Sequence, residues 1–90
     1  MSKLDQIIEI YPDESFLKAD GYDDAIIGVT TNKTSGVLLL VYSKTLCIEI
    51  MIDEMGMEYE DAVEHYYFNV EGSYVGEQTP IFVEDEFYEE

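Results

Sequence analysis

AIIGVTTNKTSGVLLLVYSKTLCIEIMID, residues 25–53, holds two kinds of apolar run. Ala25–Thr30 and Val37–Ser43 are rich in aliphatic residues, and the TNKTSG between them has the composition of a turn. Together they predict an antiparallel hairpin with a loop of about six residues. The third run, Leu46–Ile52, has three isoleucines and could continue as strand. Against that, Ser43 can cap a helix and Gly56 can end one after an ordinary length. A helix would gather Glu49 and Asp53 into a narrow polar strip at i, i+4 and bury nearly everything else. Helix is the preferred reading of 46–52.

Outward from this centre, Glu58–Val70 has the most regular pattern. Tyr59, Ala62, Val63, Tyr66, Tyr67 and Val70 fall at 0, +3, +4, +7, +8 and +11, the stripe of an amphipathic helix. Glu58, Glu60 and Asp61 occupy its first turn, where the helix dipole favours acids. Upstream, Ser2 with Asp5 three residues on marks an N-cap, and Leu4, Ile7, Ile8 and Tyr11 follow at helical spacing until Pro12. Residues 13–24 form a polar connector with a helical turn at Ser15–Lys18. Thr79–Val83 reads as a strand, and Pro80 assigns it to a sheet edge or to the strand's first residue. The predicted fold is a single α+β domain over 1–90. Its small antiparallel sheet is the hairpin plus the C-terminal edge strand, with helices packed on one face. Residues 84–90 are expected to fray as an acidic tail.

The charge narrows the function classes. Asp and Glu number 21 against 4 lysines and no arginine, so the net charge is −17. Apolar residues make up 47% of the chain, too many for a wholly disordered acidic segment. A chain of this length buries roughly 60–65% of its unfolded surface, enough for one small core. A nucleic-acid binder neutralises phosphates with clustered basic residues, and an anionic membrane surface demands the same, so neither is an expected partner. No apolar run reaches the length of a transmembrane helix, and the N-terminus lacks the basic and apolar regions of a signal peptide. One cysteine, Cys47, cannot form an internal disulfide and suits a reducing cytoplasm. The acids are unevenly distributed: residues 1–44 carry all four lysines and a net of −3, while residues 45–90 carry −14. An electrostatic function therefore belongs to the C-terminal half.

Catalytic signals are weak. His65 is the only histidine, and Asp61 at i−4 makes a salt bridge on a solvated face its plainest reading. A zinc site needs three or four protein ligands, and Asp61, Glu64 and His65 match no metal-binding helix motif. Cys47, between Leu46 and Ile48, reads as a core residue rather than a nucleophile. Asp20, Asp23 and Asp24 lack the alternating pattern of a calcium loop, and no phosphate-cradling glycine loop occurs. The chain is expected to be no enzyme and to need no metal or cofactor.

The stronger signal is a surface. Opposite the apolar stripe of Glu58–Val70, Asp61, Glu64, Phe68 and Glu71 are spaced 0, +3, +7 and +10 and line one side over about 15 Å, with Glu60 beside them. Acids at this spacing repel one another by some tenths of a kcal/mol per pair. An aromatic among them has the composition of a contact anchor, unless Phe68 tucks under the C-terminal segment and the acids merely solvate the face. A second cluster, Glu84, Asp85 and Glu86 with Glu89 and Glu90, surrounds Phe87 and Tyr88. It reads as either a solubilising tail or an acidic-aromatic segment that orders on a basic partner.

Three stretches, DGYDDAIIGV at 20–29, VYSKTLCIEIM at 41–51 and YYFNVEGSYVGEQTPIFV at 66–83, together resemble a family of small proteins encoded in tailed-bacteriophage genomes. The most specific part is an FNVxGxYVGExTP string, here Phe68-Asn69-Val70-Glu71-Gly72-Ser73-Tyr74-Val75-Gly76-Glu77-Gln78-Thr79-Pro80. TNKTSG is longer and more polar than that family's usual hairpin link. The resemblance implies a phage product acting in the bacterial cytoplasm and carries over no catalytic or binding residue. With the charge, it gives the leading expectation of a non-enzymatic inhibitor. Such a protein would present carboxylates where a basic host nucleic-acid-binding protein expects phosphates, the host targets including restriction or CRISPR effectors or transcription factors. The alternative is a small homo-oligomeric phage protein of structural or assembly role, whose acidity serves only solubility.

Overall fold

The computed structural model describes residues 2–19, 21–71, 76 and 78–85. Helix α1 spans Lys3–Ile10, strand β1 Ile26–Thr31, strand β2 Leu38–Ser43, helix α2 Lys44–Asp53, helix α3 Tyr59–His65 and strand β3 Ile81–Val83. A short 3-10 turn at Asp23–Ala25 leads into β1, and a π-helical segment, Tyr66–Glu71, continues α3. The fold is α+β, as its apolar pattern predicts.

Each local signal has a visible cause. The Ser2 side chain accepts a hydrogen bond from the Asp5 N–H at 3.1 Å, and α1 buries Leu4 and Ile7. The hairpin loop is built on Asn32. Its side-chain oxygen accepts from the N–H groups of Thr34 and Ser35, and its backbone N–H and C=O bond to Val37 and Gly36. Residues 46–52 are helical, with Ser43 as N-cap accepting from the Leu46 N–H at 3.1 Å. Beyond α2, Gly56 adopts φ +71°, a left-handed value that lets the Met57 N–H return to the Met51 carbonyl at 3.0 Å. The helical turn expected at Ser15–Lys18 does not form. That connector is instead irregular: Phe16 and Ala19 pack against the core, and the Ala19 N–H donates to the Tyr42 hydroxyl at 2.9 Å.

The sheet order is β1-β2-β3, with β1 antiparallel to β2. The expected all-antiparallel sheet needs one correction: β3 is an edge strand, as Pro80 predicts, but pairs parallel to β2. The physical reason is the long excursion through α2, α3 and the π segment, which returns the chain to start β3 alongside β2 rather than against it. A bulge between Ile26 and Gly28 resets the side-chain alternation of β1. Ile26 and Val29 thereby join Leu40, Tyr42 and Phe82 on the core face, and residues from all three helices pack there: Leu4 and Ile7, Cys47, Ile48, Ile50 and Met51, and Ala62 with Tyr66 and Val70 beyond it. Tyr42 and Phe82 stack with centroids 5.0 Å apart.

Candidate functional site

The parallel pairing of β3 decides where the first tail acids go. Tyr42 pairs with Phe82 and Ser43 with Val83, so residues 84 and 85 arrive beside the first turn of α2. Asp85 accepts a hydrogen bond from the Thr45 N–H at 3.1 Å and another from the Ser43 hydroxyl. Partial burial alone would raise the Asp85 carboxyl, but these hydrogen bonds outweigh it and hold the group below the usual aspartate value. Glu84 accepts from the Lys44 ammonium at 3.3 Å and from the Tyr67 hydroxyl at 3.0 Å, while Lys44 also donates to that hydroxyl at 2.6 Å. Lys44 is buried, with its ammonium 4.7 Å from the centre of the Tyr67 ring. The segment expected to fray thus begins tied to α2, and Glu84 and Asp85 are engaged within the fold. Glu86 and Phe87, with the rest of the tail, lie outside the described residues, as does Asp20.

The face predicted on 58–70 takes its geometry from a change of helix type. The pattern predicts one continuous helix, whereas the α-helix ends at His65 and the chain continues as a π turn through Glu71. Wider i→i+5 turns advance each residue through a smaller angle, so Phe68 returns more nearly above Glu64 than an α-helix would place it. Ala62, Tyr66 and Val70 form the buried stripe. Tyr59 and Tyr67 depart from the expected apolar stripe: Tyr59 is 64% exposed, because as the first helical residue it has no preceding turn to hold it against the core, and Tyr67 is exposed with its hydroxyl bonded to Lys44 and Glu84.

Glu60, Asp61 and Glu64 are all exposed, and Phe68 is 78% exposed, so it does not tuck under the C-terminal segment. Met57, Asp61, Glu64, His65 and Phe68 line one shallow groove of about 440 Å³. Its lining combines the apolar side chains of Phe68 and Met57 with the carboxylates of Asp61 and Glu64 and the imidazole of His65. Glu71 belongs to the π turn, but its side chain lies outside the described residues. Sequence spacing alone missed Met57, although its position just past the left-handed Gly56 brings the chain back against the start of α3.

The remaining chemical candidates have structural surroundings. Cys47 is fully buried, and burial, with a further contribution from the charge of Asp85, pushes its thiol up to about 12. Asp23 pairs with Lys18 at 3.3 Å on the surface. Among the described residues, no group of three or more His, Cys, Asp or Glu side chains is arranged to hold a metal ion, and no helix is long and apolar enough to cross a membrane. No protein-family model, curated protein or solved structure matches the chain.

Proposed function

We propose that the chain is a non-enzymatic phage accessory protein that acts in the host bacterial cytoplasm. It binds a basic host protein through the α3 face and blocks that protein's nucleic-acid groove. The observation that carries this reading is Phe68, a large aromatic side chain 78% exposed beside Asp61 and Glu64, on the π segment that continues α3. A solvated acidic face needs no aromatic on it. An interface does, because a desolvated ring ringed by charges supplies affinity while the carboxylates steer a basic partner. The net charge of −14 over residues 45–90 gives the long-range attraction, and the same field repels nucleic acid itself. Restriction or CRISPR effectors and transcription factors have grooves of the required sign.

The test is an affinity capture from bacterial lysate at low and high salt, read by mass spectrometry, with duplex DNA as competitor. Capture of a nucleic-acid-binding protein that DNA displaces, and that rising salt weakens steeply, supports the reading. Capture that DNA leaves untouched counts against it.

One observation favours the homo-oligomer alternative. The half of the chain that carries all four lysines also exposes Ile8, Ile10 and Ile27, at 49%, 69% and 39%. An oligomer closed by those residues would join the less charged halves and keep the acidic halves apart. Sedimentation of purified protein decides it: a multimer insensitive to salt and lost in an Ile10→Asp variant would be this second form.

A further inference from the structure

We infer that the groove lined by Met57, Asp61, Glu64, His65 and Phe68 is an arginine subsite, its two carboxylates outnumbering the single imidazole: the proposed partner enters it with a guanidinium group laid on the Phe68 ring. This rests on reading the α3 face as a binding surface and names the chemistry that fills it. An exposed ring presents a negative π face, which attracts a cation placed over it. Asp61 and Glu64 line the same groove as that ring and supply oxygen acceptors beside it. A guanidinium satisfies both requirements at once, since it is planar, weakly hydrated and carries a fork of donors matched to carboxylates. Its aliphatic stem has Met57 to pack against.

Other occupants fit less well. A purely apolar side chain would cover the ring but strip water from two carboxylates without pairing them. A nucleobase could stack on Phe68, but its phosphates would meet Asp61, Glu64 and the −14 of this half of the chain. A lysine would satisfy the charge, yet its compact, strongly hydrated ammonium gains less from the ring and cannot engage a carboxylate in bidentate fashion.

The experiment titrates the full chain with two synthetic peptides of equal length and charge, one alternating Arg and Ala, the other alternating Lys and Ala. Affinity is measured by calorimetry, and the site by amide chemical-shift changes. The expected result is about three- to tenfold tighter binding of the arginine peptide, with the largest shifts at Asp61, Glu64 and Phe68. Phe68→Leu, which keeps apolar bulk at an exposed position, should abolish that preference while leaving the weaker, charge-driven binding. Asp61→Asn with Glu64→Gln should weaken both peptides. Equal affinities in the unmodified protein, with shifts on α3, would overturn the arginine subsite and leave the acidic-face reading standing. Binding of neither peptide at low salt would overturn both.

Discussion

Asp85 accepts a hydrogen bond from the backbone N–H of Thr45, forty residues away, and so caps a helix from outside it. Thr45 is the second residue of α2, and its N–H is one of the donors that every helix start leaves without an internal partner. Ser43 satisfies the next such donor, at Leu46, and gives its own hydroxyl proton to Asp85. One carboxylate therefore joins the C-terminal segment, the N-cap and the first turn of α2. It also lies at the positive end of the helix dipole, where a negative charge is favoured.

Asp85→Ala should lower stability by about 1–2 kcal/mol, because it removes a cap and strips the buried Ser43 hydroxyl of its acceptor. The effect depends on pH with a definite sign. The Asp85 carboxyl sits below its ordinary value in the fold, so its stabilisation is present above the unfolded value of about 4 and is lost as pH falls through the lower folded value. Thermal melts should show a constant gap between the unmodified protein and the variant from pH 7 to pH 5. The gap should close on going to strongly acid solution.

Much of the fold is legible in the sequence because its signals are local. The Ser2 and Ser43 caps, the polar hairpin loop and the stop at Gly56 each depend on a few neighbouring residues, and each appears in the structure. The direction of β3 is not local. Ile81–Val83 reads the same whether it runs with β2 or against it, and only the path through α2 and α3 decides. For the same reason the acids of 84–85 look like a tail: their partners Ser43, Lys44 and Thr45 are reached only through that parallel pairing. The face of α3 is legible at Asp61, Glu64 and Phe68, since helical spacing gathers them, and illegible at Tyr59, where burial depends on what precedes the helix.

Tyr42→Phe should cost about 1 kcal/mol or somewhat more. The ring keeps its stacking on Phe82, but the Ala19 N–H loses its acceptor on the buried hydroxyl. For a domain of this size a loss of that order lowers the melting temperature by about 4–8 °C per kcal/mol. The far-UV spectrum at low temperature should be unchanged.

Cys47 should be inert in the folded protein. Its thiol is fully buried and pushed up to about 12, so the thiolate needed for attack is scarce at neutral pH and shielded from reagents. A thiol-reactive dye should label one site per chain in denaturant. Without denaturant, labelling should proceed only at the rate of opening.

Added salt should stabilise the fold. With a net charge of −17 and few ammonium groups to offset it, self-repulsion opposes compaction, and screening relieves it. The melting temperature should rise as salt is added from low ionic strength. Glu60→Lys with Glu64→Lys, by reducing the same repulsion, should flatten that rise and slow association with a basic partner.

If Phe68 is on the surface to make contact, one variant separates its binding role from a folding role in two measurements. Phe68→Ala should shift the thermal midpoint little, since the ring is 78% exposed, while weakening binding to the captured partner by about 1–2 kcal/mol or more. A buried ring would behave oppositely, losing roughly 3–5 kcal/mol of folding stability. The expected result is an intact melt with a several-fold or larger loss of affinity. A large drop in stability with affinity unchanged would overturn the contact role and assign Phe68 to the core.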